Sequence, residues 1–336
     1  MQLKSAVKNV IMQKINSLFK RLAILEQPTL RALKQTRKIS WMILKVYIPV
    51  SLLTFWLKDI GALDYIAPFF APFMKYFGLP GEAAICLIAG FTNFIYAAIG
   101  TMAVLDLSPK QITILGIMIG FCHNLILETI LLSKLKMVRL PIGFFRLFVA
   151  LLAGILIKNF IPNDLTGEVL NSYIKVDTFT WVSAIKSVLS TGVQIIVVLL
   201  CINLIYEYFM IWRFREFIAD KSKFITKIIG FSESAFAAWV VGFFIGVVYG
   251  AGILYTMVSN NKLSHKDISL VTIWISLAHA IIEDCMIFVV IGGSFWWIFS
   301  VRVLLAFIIV RLLAIGNVYK YFTWIGMPRF DIEKKL

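Results

Sequence analysis

His123-Asn124-Leu125-Ile126-Leu127-Glu128 and His279-Ala280-Ile281-Ile282-Glu283-Asp284 stand 156 residues apart, each in a segment otherwise built of Ile, Leu, Phe and Met. The same offset carries Leu107-Ser108-Pro109-Lys110 onto Leu263-Ser264-His265-Lys266, and Ile112 onto Ile268. Upstream, an offset of 152 pairs Lys75 with Lys227, Gly78 with Gly230, Ala83 with Ala235, Gly90 with Gly242 and Gly100 with Gly252. Extra residues around Asn260 and Asn261 reconcile the two offsets. A co-linear order of this kind is the mark of an internal duplication. An ionisable group inside a membrane segment costs roughly 2.5–3.5 kcal/mol on insertion scales, so the duplicated His and carboxylate are read as functional.

Composition agrees with a membrane setting. The 336 residues are 60% hydrophobic and only 15% charged, with a mean hydropathy of +0.88; soluble domains carry about 25% charged residues. The net charge of +15 therefore speaks first of topology, because Lys and Arg collect in cytoplasmic loops against anionic lipid. No recognition helix or RNA-binding signature accompanies it, so nucleic acid is not an expected partner. Cys86, Cys122, Cys201 and Cys285 all fall in apolar segments and read as reduced, embedded thiols. Lys4, Lys8, Lys14 and Lys20 interrupt any signal-peptide core, so insertion is expected to use the first span.

Residues 1–38 hold nine Lys and Arg against one acid, Glu26, and read as a basic cytoplasmic arm that Pro28 divides from the first span. Apolar segments follow at 39–57, 62–77, 82–105, 111–133, 141–161, 181–211, 217–229, 233–258, 268–291 and 294–316. Two, 62–77 and 217–229, are too short for a regular span and occupy matching places, as discontinuous or re-entrant helices do. The loops 134–139 and 213–223 and the tail 317–336 are basic, whereas 162–180 is acidic. The positive-inside rule then places both termini in the cytoplasm and 162–180 outside. The expectation is an all-α polytopic protein of about ten membrane segments in a 5+5 inverted repeat, 39–161 and 181–316, in a bacterial inner membrane.

Such repeats would converge His123, Asn124, Glu128, His279, Glu283 and Asp284 near the midplane, with Thr92, Asn93, Tyr96 and Tyr249 as neighbours. His279 and Glu283, four apart, would share one helix face. Five residues instead place Glu128 about 140° around a regular helix from His123, unless the helix breaks there. Three chemistries fit. The cluster could hydrogen-bond a small polar solute, nucleoside-like or an organic anion. It could relay a coupling H+, or work with Na+. Or His123, Glu128, His279, Glu283 and Asp284 could ligate a divalent metal. A buried structural lock, or a scaffold that moves nothing, is the alternative. No phosphate loop, dinucleotide fingerprint, Gly-x-Ser-x-Gly or His-Glu-x-x-His is present, so no enzyme and no bound cofactor is expected, and transport would run on a gradient. A homo-oligomer is the other expected partner beside the bilayer.

The segments Gly78-Leu79-Pro80-Gly81-Glu82 to Gly100 and Gly230-Phe231-Ser232-Glu233 to Gly252, with the His segment after each, resemble the Gate, or nucleoside-recognition, membrane proteins. Concentrative nucleoside transporters, ferrous-iron permeases and spore-maturation proteins are distantly similar. The resemblance implies inverted Gate repeats passing a small polar solute or an ion.

Overall fold

A backbone inside hydrocarbon has no water to bond, so a chain this apolar must satisfy its amides internally. The computed structural model describes residues 2–92, 95–133, 139–166, 180–212, 214–259 and 263–316, and among them every regular element is helical. Asn93, the basic stretch 134–138, most of the acidic loop (167–179), Asn260, Asn261 and the tail 317–336 lie outside the described residues.

In chain order the helices are α1 (Gln2–Asp59), α2 (Ala62–Met74), α3 (Ala84–Thr92), α4 (Ile95–Met102), α5 (Pro109–Cys122), α6 (Leu125–Ser133) and α7 (Arg139–Ile157). Then come α8 (Trp181–Trp212), α9 (Phe214–Ile229), α10 (Phe236–Ile245), α11 (Val247–Ser259), α12 (His265–Leu277), α13 (Ile281–Val290) and α14 (Phe295–Ile315). Pro28 does not end a helix as the sequence suggests: α1 runs unbroken through Pro28 and Pro49. Contacts with α8 just past Pro28 hold it in place. Arg31 pairs with Glu207 at 3.0 Å, and Asn203 Nδ2 donates to Thr36 Oγ1 at 3.0 Å. A membrane helix tolerates proline where its neighbours compensate the lost backbone bond.

Among the described residues, five stretches are long and apolar enough to cross a bilayer: Gln27–Asp59, Pro109–Leu132, Trp181–Phe209, Lys266–Val290 and Phe295–Ile315. Lys221–Ile229 with Glu233–Ile245 makes a sixth only as a pair bent by 106°. The expected ten are not confirmed among the described residues, where the apolar run 233–258 breaks into the short helices α10 and α11. The two short segments do end alike. Gly78 (φ 70°) and Gly230 (φ 110°) take the left-handed conformation that terminates a helix without a Cβ clash.

The two His-bearing spans are the inner ones, with 72% and 83% of an 18-residue apolar window buried against about a third for the spans containing α1, α8 and α14. Around them, α1 packs closely on α4: a Cβ at Gly100 would stand 2.9 Å from Ser51 Oγ and 3.1 Å from Tyr47 O. Gly252, the counterpart of Gly100, faces nothing within 4 Å.

Candidate functional site

Each His helix is fixed at its start by a capping box. Ser108 Oγ accepts from Gln111 N at 3.3 Å while Gln111 Oε1 accepts from Ser108 N at 2.8 Å, with Pro109 opening α5. Ser264 and Asp267 do the same for α12, at 3.1 and 3.3 Å. Both helices then stop at the histidine. His123 is extended (φ −62°, ψ 156°) and Asn124 left-handed (φ 48°); Ala278 leaves helical geometry and Ala280 is left-handed (φ 44°). The turn amides are taken by the preceding glycine-bearing segments: Asn124 N donates to Gly90 O at 2.9 Å, and Ala280 N to Gly242 O at 3.4 Å.

The break is what brings the carboxylate back to the imidazole. Glu128 Oε1 lies 3.3 Å from His123 Nε2 and equally 3.3 Å from His279 Nε2. The two rings sit 5.0 Å apart, tilted by 50°. Nδ1 of His123 bonds Ile119 O at 3.1 Å, and Nδ1 of His279 bonds Ile275 O at 2.8 Å. A carbonyl can only accept, so Nδ1 carries the proton in each ring. Nε2 of a protonated ring donates to Glu128 Oε1, whereas in a neutral ring it is an acceptor. Two imidazole nitrogens and one carboxylate oxygen thus face a common point in a buried site.

Two further side chains, absent from the sequence expectation, complete the cluster. A broken helix leaves carbonyls without their usual donors, and Arg146 supplies them: Nε donates to Phe121 O at 3.0 Å and Nη2 to His123 O at 3.1 Å. Arg146 Nη2 also stands 2.7 Å from Glu128 Oε2. In the second copy Arg302 Nη2 donates to His279 O at 3.4 Å, and Nη1 lies 3.0 Å from Asp284 Oδ2. Both arginines are fully buried. A signal for them existed: Arg146 and Arg302 are separated by the same 156 residues as the histidines.

The remaining expected residues divide. Glu283 does not share a face with His279, because the left-handed turn at Ala280 rotates α13; its Oε1 accepts from Tyr96 Oη at 3.0 Å. Asp284 faces Arg302, and offers a ligand atom within 4.8 Å of one on His123 and one on His279. Asn124 follows His123 and is buried, its Oδ1 without a hydrogen-bond partner among the described residues. Thr92 bonds its own helix at Ile88 O, 2.7 Å. Tyr249 stands 58% exposed on α11, outside the buried cluster. Cys122 and Cys285 are buried, and the Cys122 thiol donates to Met118 O. A recess of about 290 Å³ beside α6, walled by Leu125, Ile126, Ile130 and Phe144, is apolar and takes no part in this polar chemistry.

Residues 40–138 match the family model Gate, described as nucleoside recognition. The match encloses His123, Asn124 and Glu128 and stops short of Arg146. The chain is also 28% identical over 299 residues to the uncharacterized membrane protein YvoD of Bacillus subtilis (strain 168), covering 84% of this chain and 91% of the relative. No solved structure matches the chain. The apolar helices among the described residues accord with a membrane protein.

Proposed function

We propose that this Gate protein is a secondary transporter, not an enzyme, that passes a small polar solute through the His123–Glu128–His279 cluster. Its two copies would lie inverted in an inner membrane, five segments each, with both termini cytoplasmic and the cluster at the midplane. The recurrence of capping box, broken His helix and buried arginine at one offset supports this arrangement.

The convergence of two Nε2 atoms on Glu128 Oε1 carries the choice of solute. With Glu128 Oε1 at its centre the site offers a carboxylate acceptor, so hydroxyls or amide N–H groups fit it and the carboxylate of an organic anion does not. A nucleoside-like solute has such donors. Substrate-binding roles fall to His123, Asn124, Glu128, His279, Glu283, Asp284 and Tyr96. A divalent-metal permease is the second reading, favoured by the spacing of His123, His279 and Asp284. The decisive experiment is uptake of tritiated uridine and adenosine into proteoliposomes. Saturable uptake is expected, and it should vanish in a His123→Ala/His279→Ala variant that still purifies folded. No saturable uptake by the native protein, or normal uptake by the double variant, would overturn the proposal.

A further inference from the structure

The acceptors that suit a donor-bearing solute are also those a divalent transition metal prefers: imidazole nitrogens and carboxylate oxygens. Spacing does not separate the two, since one ligand atom each of His123, His279 and Asp284 falls within 4.8 Å of the others. What separates them is charge. Resting on the transporter reading above, we infer that Arg146 and Arg302 are the specificity-determining residues of the site. They bar divalent cations and reserve its acceptors for the N–H and O–H groups of an uncharged solute.

Each carboxylate that a metal would need already faces a guanidinium, Glu128 at 2.7 Å and Asp284 at 3.0 Å. A guanidinium stays protonated in proteins, so its charge cannot be shed. Nor can it turn away. Arg146 is tied to Phe121 O and His123 O, and Arg302 to His279 O, carbonyls left bare by the two helix breaks. Arg302 is further confined by Gly120, where an added Cβ would come within 2.7 Å of its Cδ. A dication would therefore stand beside two fixed positive charges in a buried, weakly screened place, whereas a hydroxyl would not feel them as strongly.

If the arginines served only as helix staples, their removal would destabilise the protein without changing what it binds. Zinc binding tells the two apart. Zn2+ is titrated into the purified full-length protein by calorimetry, and retained zinc is measured after dialysis. The native protein and Arg302→Lys should retain no stoichiometric zinc. Arg302→Gln should gain it, and should lose it again when His123→Ala and His279→Ala are added. Arg146→Gln, which frees Glu128 beside both imidazoles, is the second test should Arg302→Gln fail to fold. Stoichiometric zinc on the native protein that disappears with His279→Ala would overturn the inference, as would folded Gln variants that take up none. The titration involves no transport, so an absence of uridine uptake would leave its outcome standing.

Discussion

At the scale of single residues, the site depends on two left-handed positions held by different side chains. Asn is among the few L residues that visit this region readily, whereas Ala carries the Cβ penalty of roughly 1–2 kcal/mol. Ala280→Gly should therefore raise stability by about 0.5–1 kcal/mol after the entropy glycine adds to the unfolded chain is deducted. Ala280→Val should lower it, both read from thermal unfolding in detergent. The buried ion pairs give a second expectation. Arg146→Met leaves Glu128 buried with its guanidinium gone, a loss of about 3–5 kcal/mol. Arg146→Met with Glu128→Gln should lose less than the single change, and a double-mutant cycle on unfolding midpoints checks it. A larger loss in the double variant would mean that the arginine acts through the carbonyls alone. The histidines were legible because a polar ring in an apolar run is conspicuous. The arginines were not singled out, although they obey the same offset, because long cationic side chains near span ends ordinarily reach for the membrane surface.

At the scale of elements, the two His helices start on capping boxes of unequal strength. Gln111 closes its box alone, while buried Asp267 also accepts from Ser232 N at 2.7 Å and Ser232 Oγ at 2.9 Å, tying the start of α12 to the bend after α9. Asp267→Ala should thus cost about 2–4 kcal/mol, and Gln111→Ala about 0.5–1 kcal/mol. Equal losses in unfolding measurements would show that the link to Ser232 adds nothing. The Ser-x-x-Gln and Ser-x-x-Asp starts can be read straight from the sequence. The breaks at Asn124 and Ala280 are harder to read, since neither glycine nor proline marks them. Only the five-residue spacing of His123 and Glu128, awkward on a regular helix, hinted at the first. In the second copy His279 and Asp284 stand five apart as well, but the four-residue spacing of His279 and Glu283 suggested a regular face that the fold does not use.

At the scale of the whole molecule, the two copies share their inner parts and differ in what covers them. α1 presses its backbone on α4 at Gly100, and among the described residues nothing equivalent reaches Gly252 on α11. Gly100→Leu should then disrupt packing and lower the unfolding midpoint markedly. Gly252→Ala should be neutral or stabilising by up to about 1 kcal/mol, as expected of an open helix position. A loss at Gly252 as large as at Gly100 would show that α11 is covered in the folded protein in the same way as α4. The duplication was readable from residue order; this asymmetry was not, because both positions are the same amino acid and only the neighbours distinguish them. One shared atom has a consequence for motion. Glu128 belongs to the first half and His279 to the second, and they meet at a single oxygen. On the transporter reading, a guest that draws its hydrogen bond from that oxygen would release one tie between the halves, while Tyr96 and Glu283 keep another.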